Sequence, residues 1–313
     1  MLATTLRLWT QRRLARLRSH PWLARSGWRA VVLIVVAAAV VVAVSLSRGH
    51  APSRSSGGAY NAASSARALA AKARLQAAVW ASREVSTDAI VACDPAMCAA
   101  LQARGISASR LLVLGPGRAD PLGSDVVMAT AAVRNQFGSR LTSVYAPVVL
   151  AAFGSRAARI DVRVVAPDGA SDYLAALSAD VKARVTVGSQ LAHNPHLHTP
   201  AAARAQLAAG LVDSRLLASL ATLASQHAVD VAGFQDVPGP AASPGVPLRA
   251  ALIAWTPPGS GQGSTLRSLL DFFRSQRPPY RPSVVKEVTA AQRTVLRVEY
   301  SAPSPLGLLG SRG

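Results

Sequence analysis

Three groups of side chains in this sequence have types and spacings that could do chemistry. The run His193-Asn194-Pro195-His196-Leu197-His198 holds half of the chain's six histidines. Histidines separated by one residue on an extended segment point to the same side, so His196 and His198 could share a metal ion, with His193 or His227 as a third ligand. Structural zinc takes four ligands, however, and no cysteine or carboxylate stands nearby at metal spacing. Framed by Pro195 and Pro200, the run reads as a solvent-facing linker, and neither a metal nor a cofactor is expected.

The chain has two cysteines, Cys93 and Cys98, in the run CDPAMC. In an exported protein an isolated pair at this spacing reads as a disulfide tying the end of a strand to the first turn of the next helix. Redox activity is the sharper alternative, but the Cys-x-x-Cys spacing is absent, and two buried free thiols form a third possibility. The third group is the loop Gly115-Pro116-Gly117-Arg118-Ala119-Asp120-Pro121-Leu122-Gly123-Ser124-Asp125. It follows a strand, where α/β folds bind ligands, yet it matches neither the dinucleotide fingerprint nor the P-loop. Any binding cleft here would carry Arg118, Asp120 and Asp125 at its rim. Asp94, Asp120 and Asp125 at strand ends are also the carboxylates a hydrolase would pair, at the separation of about 5 to 9 Å that glycosidases use. No catalytic residue is assigned. Gly-x-Ser-x-Gly, His-Glu-x-x-His and the EF-hand pattern are missing, and Ser283-Val284-Val285-Lys286 sits on a strand without the partner motifs of the penicillin-binding enzymes.

The elements that must hold these residues are legible in outline. A helix over 66–84 is predicted from Leu69, Ala73, Ala77 and Trp80 at three- and four-residue spacing. Short apolar runs at Ala89–Cys93, Arg110–Leu114 and Asp125–Thr130, then YAPVVLAAFG and RIDVRVVAP, predict five strands. Pro95 opens a helix that Gly105 ends. This is a first α/β domain, 66–170, with a mixed or mostly parallel sheet. A second domain, 171–300, begins with a long helix capped at Ser171 and bridging the halves. It continues with helices over 201–209 and 213–226, strands in VDVAGF and LRAALIAW, a helix over 265–276, and a closing pair SVVKEV and TVLRVEY. The order suggests an α+β sandwich with helices against one antiparallel face. The fold class is thus α/β to α+β, and 301–313 reads as a disordered tail.

Upstream, Ala30 to Leu46 is free of charge and covers roughly 25 Å, the short end for a spanning helix. Seven arginines and no acid precede its end, so the positive-inside rule places 1–29 in the cytoplasm, 30–47 across the plasma membrane, and the rest outside. A cleaved signal peptide is the competing reading, since Ala43-Val44-Ser45 is an acceptable cleavage site, but the basic region is far longer than an ordinary n-region. Residues 48–65, rich in Ser, Gly and Ala, read as a flexible stalk. The whole chain carries +19, so 19 − 7 leaves +12 for residues 48 to 313. With no finger, RNP-like run or basic zipper, and with an outward-facing body, nucleic acid is not expected as a partner. Part of the excess reflects arginine-rich, GC-rich bacterial coding, because only Lys72, Lys182 and Lys286 are lysines.

The runs AIVACDPAMCAALQARG, LLVLGPGRADPLGSDVVMATAAVRNQFG and AGLVDSRLLASLATLASQHAVDVAGF resemble uncharacterised single-pass membrane proteins of actinobacteria. The resemblance implies an anchored, extracytoplasmic protein and carries no residue role, since no activity is established for that family. The second run is also similar to the helix-strand region of D-Ala-D-Ala peptidases, whose Ser-x-His-x-x-Gly-x-Ala-x-Asp zinc motif is absent. The sequence therefore points to a membrane-anchored, non-catalytic accessory or interaction module at the cell envelope, whose partner is an envelope polymer or a neighbouring membrane protein. An envelope glycan or peptide hydrolase and a solute-binding ectodomain are the alternatives.

Overall fold

A computed structural model describes residues 56–117, 120–235, 241–255, 262–290 and 292–310. The expected span at 30–47, the arginine-rich segment expected before it and the first part of the expected stalk lie outside them. Among the described residues no helix is long and apolar enough to cross a membrane.

Helix α1, Ser56–Glu84, begins well before the expected start at 66, so the second half of the presumed stalk is helical. Alanines at three- and four-residue spacing explain this, because Ala carries the highest helix propensity and leaves a smooth packing face. Ala73, Ala77 and Trp80 are buried as the periodicity requires, whereas Leu69 is 58% exposed, off the buried stripe.

The first sheet has the order β2-β1-β3-β5-β4. Strands β1 (Val91–Cys93), β2 (Leu111–Val113) and β3 (Val126–Ala129) run parallel, with Val91 opposite both Leu111 and Val126. Strands β4 (Val148–Phe153) and β5 (Ile160–Val164) are antiparallel additions. Period-two alternation divides the sheet into two faces. Val91, Cys93, Val126, Met128 and Val162 pack under α1 and helix α2, Pro95–Gln102. Ala92, Val127 and Ala129 pack under α3, Ala131–Phe137, and the turn of π-helix at Leu141–Tyr145. The loop after β2 is the crossover from one parallel strand to the next, and its Leu122 helps cover this second face.

Helix α4, Ala170–Ala192, joins the two sheets. Leu177 belongs to the first core and Leu191 to the second. Ser171 is not its cap; Gly169 occupies that position at φ 102°, a conformation glycine takes without strain. The Ser171 hydroxyl instead turns to Asp172 Oδ1 at 3.3 Å. Gly188 lets α5, Ala201–Ala208, cross against α4: a Cβ there would lie 2.0 Å from the Leu207 carbonyl oxygen.

The second sheet has the order β6-β7-β8-β10-β9. It comprises β6 (Leu197–His198), β7 (Val229–Gln235), β8 (Ala250–Trp255), β9 (Val284–Ala290) and β10 (Arg293–Glu299), antiparallel except for β6 beside β7. Helices α6 (Ser214–Ala224) and α7 (Gln262–Ser275) are amphipathic. They bring Leu216, Leu217, Leu220, Leu269 and Phe273 onto one face of the sheet, as expected for an α+β layer. Each such leucine contributes about 1.5–3 kcal/mol when fully buried.

The chain beyond β10 is ordered through Gly310. Ala302 is fully buried, pairs with Val85 and donates its amide to the Glu84 carbonyl at 2.6 Å. Leu306 packs on the first core and Leu309 on the second. The expectation of a disordered tail over 301–313 therefore fails for 301–310. Small apolar residues and two prolines gave no periodicity to read, yet they fit the groove between the halves, and Gly57 to Gly313 forms one compact unit.

Candidate functional site

The carboxyl ends of β1, β2 and β3 meet at one edge of the first sheet, where α/β folds place their ligands. Asp94, just after β1, is spent on local structure: its Oδ1 accepts the amides of Ala96 and Met97 at 3.0 and 3.1 Å as the α2 cap. Its Oδ2 accepts the hydroxyl of Thr130, the α3 cap. Gln136 Nε2 donates to the Gly115 carbonyl at 3.2 Å, closing the edge.

The crossover loop uses its acids in the same way. Asp120 Oδ1 accepts the Leu122 amide at 3.0 Å within a turn, and Asp125 Oδ2 accepts the Ile90 amide at 2.8 Å. That last bond is at the opposite edge of the sheet, before β1 and β3 begin. The stretch from Ile90 to Asp94 separates the two edges by about 13 Å at the usual strand rise. Asp94 and Asp125 are thus not a catalytic pair, contrary to their shared position at strand ends in the sequence: a parallel strand has two ends, and these acids occupy different ones. Arg118 lies outside the described residues.

The cysteines form the disulfide Cys93–Cys98, joining the end of β1 to α2, and no free cysteine remains. In the histidine run, Leu197 is buried while His196 and His198 face solvent. Two residues of the run form the edge strand β6, which places His198 opposite Asp230 with Nδ1 3.7 Å from Oδ1. The missing carboxylate is therefore supplied by a neighbouring strand, beyond any local spacing. His193 turns elsewhere, its Nδ1 2.8 Å from the Ser189 carbonyl oxygen. Among the described residues no three His, Cys, Asp or Glu side chains gather as a metal site would need.

The most concentrated polar chemistry lies where sequence reasoning did not look, in buried charges. Arg184, 1% exposed, donates from Nε to Asp180 Oδ2 at 2.9 Å and from Nη1 and Nη2 to the carbonyls of Gly210 and Gly245, both at 2.6 Å. Asp180 Oδ1 also accepts the Ser214 hydroxyl and the Gly307 amide, each at 3.1 Å. Beside it, Asp213 caps α6 and holds Arg215 in a two-pronged pair at 2.9 and 2.8 Å. Burial pushes the Asp213 carboxyl up, but the Arg215 charge and hydrogen bonds, with the Ser304 hydroxyl, outweigh burial and hold it below its ordinary range. Arg215 lies over the Tyr300 ring at 4.7 Å, and burial pushes the Tyr300 phenol up to about 12.

At the end of α1, Glu84 and Glu299 are both buried. Arg249 Nη2 reaches Glu84 Oε2 at 3.4 Å, while Arg297 holds Glu299 Oε2 at 2.9 Å. Burial, with Glu299 as a like-charged neighbour, pushes Glu84 up to about 7 against the pull of Arg249. Two carboxyls with divided roles are the pattern of acid–base catalysis, but this pair sits inside the protein and its cations have further partners: Arg249 Nη1 donates to the Tyr300 carbonyl at 2.9 Å and Arg297 Nη1 to Gln235 Oε1 at 2.6 Å. A third cluster, on β5, sets Asp161 between Arg159 at 2.6 Å and Arg163 at 3.5 Å, with Arg163 Nε on the Ala146 carbonyl at 2.7 Å. The only trace of these clusters in the sequence is a charge inside an otherwise apolar run, as in RIDVRVV, which reads equally as a solvent-facing strand position.

Between the two halves lies an apolar recess of about 10 Å³ lined by Tyr173, Leu177, Val246, Pro303 and Leu306, room for a single water. Comparison of the chain with family models, with curated proteins and with solved structures finds no match.

Proposed function

We propose that this chain is a membrane-anchored, extracytoplasmic accessory module that binds an envelope polymer or a neighbouring membrane protein and catalyses no reaction. The observation that carries this reading is the employment of its acids. Asp94, Asp120 and Asp125, the carboxylates best placed for chemistry, all accept backbone amides, which ties each of them to local structure. The buried acids Asp180, Asp213 and Asp161 are bound to arginines, which is how a fold secures itself rather than how it holds a substrate. The Cys93–Cys98 disulfide is consistent with an oxidising compartment. The uncharged stretch from Ala30 to Leu46 and the arginines before it supply the anchor and its orientation.

The test is co-sedimentation of the full chain, in detergent, with isolated cell-envelope polymer across a salt series. Retention that persists in high salt supports a shaped binding surface. Retention lost with modest salt, together with failure to co-purify any membrane protein after cross-linking in cells, would sink the reading.

A further inference from the structure

Helix α7 and the turn that follows it carry an arginine-rich corner that none of the clusters above uses. Arg267 and Arg274 are seven residues apart on the exposed side of α7, opposite the buried Leu266, Leu269 and Phe273. Arg277 and Arg281 follow in the exposed turn RPPYR. From Phe272 to Lys286 there is no acidic residue; Asp271 and Glu287 flank the stretch. Among the described residues no carboxylate oxygen lies within 4.0 Å of any of these four guanidinium groups, whereas Arg159, Arg163, Arg184, Arg215, Arg249 and Arg297 are all paired.

The backbone that presents them is pinned. Tyr280 donates its amide to the Arg277 carbonyl at 2.8 Å, and the Tyr280 carbonyl accepts the buried Tyr300 hydroxyl at 3.0 Å. Ser283 donates both amide and hydroxyl to the Glu299 carbonyl at 2.8 and 3.0 Å, and Gln276 Nε2 donates to the Phe272 carbonyl at 3.2 Å. Pro278, Pro279 and Pro282 restrict the remaining torsions. Little backbone entropy is left to lose on binding, so the ordering cost falls on the arginine side chains.

We propose that this corner, Arg274, Arg277 and Arg281 with Arg267 beside them, is the binding surface for a linear envelope polyanion. An exposed guanidinium on one anion contributes little. Several at three- and four-residue spacing in the chain, Arg274, Arg277 and Arg281, can act together on a polymer whose charges are covalently linked. Four exposed guanidinium groups strung along helix and turn suit a chain of linked anions better than one small anion, and each planar guanidinium can take a phosphate or carboxylate through two hydrogen bonds. The proposal deepens the envelope-binding reading above by naming its surface and the chemistry of its partner.

The experiment measures binding of fluorescent polyphosphate and of polyglutamate to the full chain in neutral detergent. It compares wild type with Arg274→Gln/Arg277→Gln/Arg281→Gln and with a control of equal charge, Arg67→Gln/Arg83→Gln/Arg104→Gln. The corner variant should bind at least ~10-fold more weakly and lose about 2 from the slope of log K against log salt, by analogy with a single-stranded polyanion. The control should stay within ~2-fold of wild type. A stronger loss with polyphosphate assigns a phosphate-bearing polymer, and one with polyglutamate a carboxylated polymer. Equal losses in both variants, or none in the corner variant, overturn the proposal. Wild type and both variants retained equally on envelope polymer would end it while leaving the envelope reading intact. Corner-dependent binding of the soluble polyanions without retention on the envelope would end that reading and keep the surface.

Discussion

The hydroxyl of Ser304 donates to Oδ2 of Asp213 at 2.6 Å, joining residues 91 apart in the chain. Through this contact, and the Gly307 amide on Asp180, the terminal segment completes two ion pairs that α4 and α6 begin. A carboxylate held inside a protein needs every such donor, because an unmet charge there costs several kcal/mol. The segment after β10 is accordingly part of the fold.

Ser304→Ala removes one hydrogen bond to a buried carboxylate and should lower stability by about 1.5–3 kcal/mol. Deleting everything after Tyr300 should cost more, since the Leu306 and Leu309 contacts go as well. Urea denaturation of the two variants checks this; a midpoint unchanged by the deletion would show the segment to be energetically idle.

Arg184→Ala should be severe, at about 3–5 kcal/mol, because it strands Asp180 and frees the Gly210 and Gly245 carbonyls together. Arg184→Met, with a similar stem and no charge, should not rescue it while Asp180 remains, whereas Arg184→Met with Asp180→Leu should recover part of the loss. Thermal melts of the double-mutant cycle measure the coupling directly.

Stability should fall through Glu84 as pH rises from about 4.5 to about 7. Its carboxyl titrates at about 7 in the folded chain against 4.5 ordinarily, so the folded state holds the proton more tightly than the unfolded one. The contribution is full below pH 4.5, declines as pH rises and is gone above about 7, on the order of 3 kcal/mol in all. Asp213 has the opposite sign: its carboxyl is held low, so its contribution is present at neutral pH and disappears on acidification below the ordinary carboxylate range. Glu84→Gln should flatten the slope between pH 5 and 8 and leave the acid limb unchanged. Denaturant midpoints across that range decide it, and an unaltered slope would assign the effect elsewhere.

Reduction of Cys93–Cys98, or its replacement by Cys93→Ala/Cys98→Ala, should cost about 2 kcal/mol, the chain entropy of so short a loop. Thiol labelling before and after reductant, followed by calorimetry, tests both the bond and its value.

Gly188→Ala should unfold or dislocate the α4–α5 crossing, because the added Cβ would stand 2.0 Å from backbone rather than from a yielding side chain. A drop of more than about 4 kcal/mol is expected, in the range reserved for overpacked cores. Wild-type stability in this variant would mean that the helices pack differently.

Much of the architecture was already written locally. The five strands of the first sheet follow from short β-branched runs bounded by turns, the disulfide from a cysteine pair at the join of strand and helix, and the start of α6 from Asp213 ahead of a leucine-rich period. These are near-neighbour effects, settled within one or two turns of chain. What the sequence left open depends on distant partners. It offered Asp94 and Asp125 as one pair, and only strand direction sends them to opposite edges of the sheet. It showed His198 without a carboxylate, and only the β6–β7 pairing brings Asp230 beside it. It gave no sign that Asp180, Asp213 and Glu84 are buried, since nothing nearby in the chain encloses them. Burial of a charge is decided by which surfaces close over it, and here those surfaces include α4, α6 and the segment after β10, joined only once the chain has folded.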